Sequence, residues 1–140
     1  MKRILIPIDD SEYSKRAMAQ GAELARTMGS TVVLVHVIPL MPQIRKGDPG
    51  ALLGTNYTSA AEAMMKEAKA SFGDIADRVE TVILKGDPAG ELLQYISSWR
   101  NIDVIIMGSH GIGSAARRFL IGSVTNKLLH HTNKPVLVIR

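Results

Sequence analysis

Five short runs rich in β-branched residues alternate with four segments of helical spacing, and that alternation narrows the possible folds more than anything else in the chain. The runs Arg3–Ile8, Thr31–Ile38, Val79–Leu84, Asp103–Met107 and Val136–Ile139 are nearly continuous in apolar character. Strands covered on both faces look like this, whereas a half-exposed strand alternates. Between them, Ala17, Gly21, Leu24, Ala25 and Met28 form one helical stripe, and Ala61, Met64, Met65, Ala68 and Phe72 a second. Ala89, Leu92, Leu93 and Ile96 form the third; Val124, Leu128 and His131 form the fourth. Ser11 with Glu12 opens the first helix and Gly29 follows its end, while Asp87-Pro88 supplies a cap and an N1 proline for the third.

The resulting order, βαβαβαβαβ, calls for right-handed crossovers and a parallel sheet with helices on both faces. The expected fold is therefore one doubly wound α/β domain over residues 1–140, with five strands in the order 3-2-1-4-5. In such sheets ligands sit beyond the carboxyl ends of the strands where the winding reverses, here strands 1 and 4. The first of these delivers Asp9-Asp10-Ser11 and the second Gly108–Ser114, so an acid faces a glycine-rich loop. One connection stands apart. Pro39–Asn56 holds three prolines, three glycines and Arg45-Lys46, and segments of that length are lids or disordered.

The bulk composition excludes several classes. The chain has no cysteine, so disulfides, thiolate metal sites and cysteine nucleophiles are out, and a reducing compartment suits it. Its apolar runs are far shorter than a membrane span, and Pro7 with Asp9-Asp10 interrupts anything like a signal peptide. A cytoplasmic location is the default expectation. The net charge of +4 is unevenly spread: beyond Asp103 there is no Asp or Glu, while Arg117, Arg118, Lys127, Lys134 and Arg140 lie there. A basic stretch that coincides with a glycine loop points to a small anion. Nucleic acid is disfavoured, because the basic residues are scattered and no aromatics are interleaved for base stacking.

Glycine loops and helix N-termini present backbone N–H groups to anionic oxygens. A P-loop would need lysine after its second glycine, yet Ser114 stands there; without a point charge on the β- and γ-phosphates, Walker-type chemistry is excluded. Gly111-Ile112-Gly113-Ser114-Ala115-Ala116 matches a dinucleotide fingerprint by letter. It follows the fourth strand, however, and no acid lies downstream to hold a ribose.

A third pattern does better: Gly108-Ser109-His110-Gly111 followed by Gly122-Ser123-Val124-Thr125. Together with Ile6-Pro7-Ile8-Asp9-Asp10-Ser11, His36-Val37, Gly86-Asp87-Pro88 and Asn133-Lys134-Pro135-Val136-Leu137-Val138, the chain resembles the universal stress protein family from residue 3 to 140. Ten residues separate Gly111 from Gly122, where the nucleotide-binding branch of that family usually has nine. The resemblance implies a small dimeric α/β stress-response protein that binds ATP, alone or with Mg2+, and hydrolyses it slowly or not at all. By the same resemblance Asp9 meets the ribose hydroxyls or a metal near the phosphates, with Pro7 beside it, and Val37 and Met107 flank the adenine. Gly108, Ser109, His110 and Gly111 wrap ribose and phosphate. Gly122, Ser123, Val124 and Thr125 give N–H and hydroxyl groups to the phosphates. Independently, Ser123 is a good cap residue, and the N–H groups after it are a helix's orphan donors.

Two other readings stay open: a dimeric adaptor of the same fold without nucleotide, and an enzyme using an adenylated intermediate. The last is the weaker, since the related class carries a glycine loop after strand 1 and Pro7–Glu12 has none. Ser109-His110 invites a hydrolase reading, but adjacent residues rarely aim at each other and no nucleophile elbow accompanies them. His130-His131 point different ways from a helix, which suits contacts with its last carbonyls better than a metal. Arg117-Arg118 reads as a solvated pair. The apolar final strand Val136–Ile139, at a sheet edge, suits pairing with its twin in a homodimer.

Overall fold

The computed structural model describes residues 1–40, 54–98, 101–111 and 121–140. The chain runs β1 (Arg3–Pro7), α1 (Glu12–Met28), β2 (Thr31–Pro39), α2 (Gly54–Ala70) and a 3-10 turn (Gly73–Arg78). It continues through β3 (Val79–Gly86), α3 (Pro88–Ser98), β4 (Val104–Gly108), α4 (Ser123–His131) and β5 (Val136–Ile139). The five strands form one sheet in the order β3-β2-β1-β4-β5, and every pairing is parallel. The doubly wound arrangement expected from the alternation is the one observed. Most of the long connection after β2 lies outside the described residues, and α2 opens at Gly54, earlier than its apolar stripe.

Period-two alternation sends each strand's side chains to two cores. Ile4, Ile6, Val32, Leu34 and Ile106 meet Ala17 and Ala25 of α1 and Met65 of α2 on one face. Leu5, Val33, Val35, Ile105 and Met107 meet Leu92 and Ile96 of α3 and Leu128 of α4 on the other. Burying a side chain of this size stabilises the fold by roughly 1.5–3 kcal/mol, so these inner strands anchor the structure. Two stripe positions fall elsewhere. Met28 is 47% exposed at the end of α1, where the helix has run past the sheet, and Ser14 and Ala22 are buried instead. His131 is exposed, and Thr125 takes the buried place near the start of α4.

The helix boundaries follow local chemistry. Ser11 caps α1 by accepting from the Ser14 N–H at 3.1 Å, and Gly29 ends it in the left-handed conformation at φ 67°. The Asp87 carboxylate accepts from the Gly90 N–H at 2.8 Å, capping α3 ahead of Pro88. At α4 the expectation fails. Gly122, not Ser123, is the N-cap, and Ser123 is the first helical residue.

Candidate functional site

The winding reverses between β1 and β4. Their carboxyl ends open a cavity of about 390 Å3, within the size range of small-molecule sites. Eleven of the twelve site residues expected from the sequence line it: Pro7, Asp9, Val37, Met107, Gly108, His110, Gly111, Gly122, Ser123, Val124 and Thr125. The twelfth, Ser109, does not. The wall also includes Ile8, Ser14, Val35, His36, Pro39, Pro88 and Leu92. Sequence reasoning had read Pro88 as a helix start and Leu92 as core, and both are also wall residues, because the first turn of α3 sits beside the cavity.

Part of the cavity wall is apolar, formed by Val35, Val37, Pro39, Leu92 and Met107. These come from the ends of β2 and β4 and from α3, so a flat apolar group has protein on more than one side. His36 lies at the same level. Its Nδ1 sits 2.8 Å from the Ile8 carbonyl, and since a carbonyl only accepts, Nδ1 carries the hydrogen there.

The start of α4 forms another part of the wall. Because Gly122 has no side chain, no capping side-chain hydrogen bond forms there. The first backbone bond within the helix is Asn126 N–H to the Gly122 carbonyl at 2.9 Å. The N–H groups of Ser123, Val124 and Thr125 are then the helix's orphan donors, at the positive end of its dipole. A serine at the cap would have occupied one of them; glycine leaves them to a ligand. The Gly122 N–H itself donates to the Ser109 carbonyl at 2.7 Å, and the Ser109 N–H to the Ile139 carbonyl at 2.7 Å. Thus the glycine loop is tied to both α4 and β5.

Two hydroxyls differ from expectation. Thr125 Oγ1 donates to the Gly108 carbonyl at 2.8 Å and is buried. Its hydrogen is spent in fixing the loop, leaving the Thr125 N–H as the group for an anion. Ser109 Oγ and His110 Nδ1 are 2.8 Å apart, so these adjacent residues do aim at each other. Past Gly108 the chain has left the strand, and the alternation that separates neighbouring side chains no longer applies. Ser109 is 2% exposed and off the cavity wall, so its oxygen is not presented to a substrate. The His110 ring lies 4.9 Å from that of Tyr13, and Arg16 stands 5.3 Å over the Tyr13 ring. His110 Nε2 is buried with no hydrogen-bond partner among the described residues.

Asp9 lies across from the loop. Its Oδ1 accepts from the Ser11 N–H at 3.1 Å, and a Cβ on Gly111 would fall 2.7 Å from its Oδ2. Gly111 thus brings the loop close to this carboxylate, and a side chain there would push the Asp9 carboxylate aside. No group of three His, Cys, Asp or Glu side chains suited to a metal occurs among the described residues. His130 and His131 are exposed in the last turn of α4, where positive charge suits the helix dipole. The spacer with its extra residue, including Arg117 and Arg118, lies outside the described residues over 112–120. No described helix is long and apolar enough to cross a membrane.

The sequence model of the Universal stress protein family matches residues 1–140. The chain is 32% identical to universal stress protein MJ0577 of Methanocaldococcus jannaschii, covering 99% of this chain and 94% of that one. It is also 32% identical to a universal stress protein of Thermus aquaticus, with coverage of 99% and 98%. The solved structure of MJ0577 superposes with a TM-score of 0.83 at 31% identity, covering 99% of this chain and 94% of that one. The universal stress protein of Archaeoglobus fulgidus in complex with dAMP superposes with a TM-score of 0.68 at 23% identity, covering 100% and 98%.

Proposed function

The chain belongs to the universal stress protein family, and from that premise we propose that it binds an adenine nucleotide, ATP first, in the cavity between β1 and β4. The observation that carries this reading is the start of α4 at Gly122, which has no side-chain cap and whose first residues line the same cavity as the apolar Val35, Val37, Leu92 and Met107. In this reading the base enters between Val37 and Met107, Asp9 takes the ribose, and the phosphates meet Gly122–Thr125. The dAMP complex of the Archaeoglobus relative supports the ligand class.

The protein acts as a nucleotide-dependent regulator in a stress response, with little or no hydrolysis. Two of the nearby hydroxyls serve structure: Thr125 holds Gly108, and Ser109 is buried against His110. It works as a homodimer through the edge of β5, on which Leu137 is exposed; Leu129 and Ile121 are exposed elsewhere on the surface. An edge strand with an exposed apolar side chain is a ready pairing surface.

The test is mass spectrometry of small molecules released from denatured purified protein, followed by titration of ATP, ADP and AMP. Gly122→Val puts a side chain against the Ser109 carbonyl and the His110 backbone, each 3.2 Å from its Cβ. Binding by wild type and its loss in that variant are expected. Equal failure of both to bind ATP would end the nucleotide reading and favour an adaptor of the same fold.

A further inference from the structure

Resting on the nucleotide reading above, we propose that Ser14 is a ligand-binding residue: its hydroxyl donates to a ribose hydroxyl oxygen and, with Asp9, makes the site selective for ribonucleotides. Ser14 lies in the first turn of α1, is 3% exposed, and forms part of the cavity wall beside Asp9. The Asp9 N–H donates to Ser14 Oγ at 3.2 Å. That bond uses the hydroxyl as an acceptor only.

Its hydrogen has no acceptor among the described residues. A serine in a helix commonly returns this hydrogen to the carbonyl four residues earlier, as Ser97 and Ser98 do to Leu93 and Gln94, each at 2.8 Å. Ser14 cannot do so: the carbonyl four residues before it is that of Asp10, which precedes the N-cap Ser11, so this buried hydroxyl has no helical acceptor to turn to. A buried donor without an acceptor is costly in a native protein and marks a place where something else completes it.

The neighbouring carboxylate decides what that something is. Asp9 is acceptor-only when ionised, so a phosphate oxygen beside it would be repelled, and the donors suited to an anion are the first N–H groups of α4. The group wanted here gives a hydrogen to Asp9 and takes one from Ser14. A carboxylate accepts several donors across its two oxygens, so the bonds Asp9 makes within the protein, that from Ser11 to Oδ1 among them, do not prevent this. A sugar hydroxyl has that dual character, and a deoxy carbon has neither half of it.

The experiment is isothermal titration of ATP, 2′-dATP and 3′-dATP into wild type, Ser14→Ala and Ser14→Thr, with thermal melts confirming that each is folded. Wild type is expected to bind ATP more tightly than at least one deoxy analogue by about three- to tenfold, the size of one net hydrogen bond. Ser14→Ala should reduce that ratio towards one, chiefly by weakening ATP, while Ser14→Thr keeps the hydroxyl and the preference. A merely structural serine would weaken all three nucleotides alike. If Ser14→Ala does not fold, Ser14→Cys takes its place, with a similar shape, a far weaker donor and the same expected loss of preference. An unchanged ratio in the hydroxyl-free variant, or no preference in wild type, overturns the assignment while nucleotide binding stands. Failure of wild type to bind ATP at all would remove the nucleotide reading itself, and this assignment with it.

Discussion

Gly108, at the end of β4, and Tyr13, in the first turn of α1, touch so closely that no side chain fits between them. A Cβ on Gly108 would lie 2.6 Å from the Tyr13 Cβ, 2.8 Å from its carbonyl carbon and 3.0 Å from its carbonyl oxygen. Two of those atoms are backbone, so relief would require moving α1 against the sheet. This contact closes the crevice floor, because α1 follows β1 and the loop at Gly108 follows β4. Gly108→Ala should therefore destabilise the protein by about 1–3 kcal/mol, as overpacking does, seen as a lower urea midpoint with unchanged slope. A neutral result would mean that the α1–β4 approach is looser than described.

Thr125 is the second fastening of the same loop. Its buried Oγ1 donates to the Gly108 carbonyl at 2.8 Å, seventeen residues away in sequence. Thr125→Val preserves shape and deletes the bond, leaving that carbonyl one donor short in the interior. The expected loss is about 1–2 kcal/mol. Weaker nucleotide binding should accompany it, since the loop and α4 would no longer be held in register. Denaturant unfolding and ATP titration on one preparation check both halves.

The order of elements was legible because the apolar runs are long and the helical stripes have clean caps; Ser11, Gly29 and Asp87 act as read. The doubly wound order then placed Asp9 opposite Gly108–Gly111 without any coordinates. Other features depended on tertiary contacts that periodicity does not encode. Ser14 carried no signal in the sequence, because a hydroxyl's unspent hydrogen is visible only when every neighbour is placed. Ser123 looked like the cap, since serine caps well, but the loop bond from the Gly122 N–H to Ser109 sets the helix start at Gly122. Ser109 and His110 were expected to diverge, and the chain's departure from strand geometry turned them together.

Asp10 supplies a prediction about strain. It has φ 65°, the only non-glycine described residue with positive φ, and a side chain there is disfavoured in the left-handed region, less so for Asp than for most. Asp10→Gly removes that conflict at some cost in chain entropy. The net expectation is a gain of about 0.5 kcal/mol, read as a slightly higher melting temperature. A marked loss would show that the Asp10 side chain makes a stabilising contact.

Asp103 should govern part of the acid limb of stability. Its Oδ2 accepts from the Lys2 N–H at 2.7 Å and the Arg3 N–H at 2.9 Å. These bonds, Lys2 first, hold the carboxyl below its ordinary value of 3.8, against a smaller opposing effect of burial, with the N-terminal ammonium and Lys134 assisting. A folded value below the unfolded one means that the contribution is present above 3.8 and is lost as pH falls through the lowered folded value. Asp103→Asn should lower stability at neutral pH and make unfolding less pH-dependent below 3.8. Denaturant midpoints measured from pH 7 to pH 2.5 would show the two curves converging at the acid end.

The free edge of β5 carries the last prediction. β5 pairs with β4 on one side only, and Leu137 on it is 45% exposed. Ile121 and Leu129, before and within α4, are 44% and 40% exposed. A four-residue strand buries little by itself, so two-fold pairing with its twin would cover Leu137 while satisfying the edge groups. Leu137→Lys places charges at that seam without touching the cavity wall. Wild type should sediment as a dimer at micromolar concentration and the variant as a monomer, with ATP affinity retained within about threefold, since distant sites are nearly independent. A monomeric wild type would sink the dimer proposal. A variant that stays dimeric would place the interface away from β5.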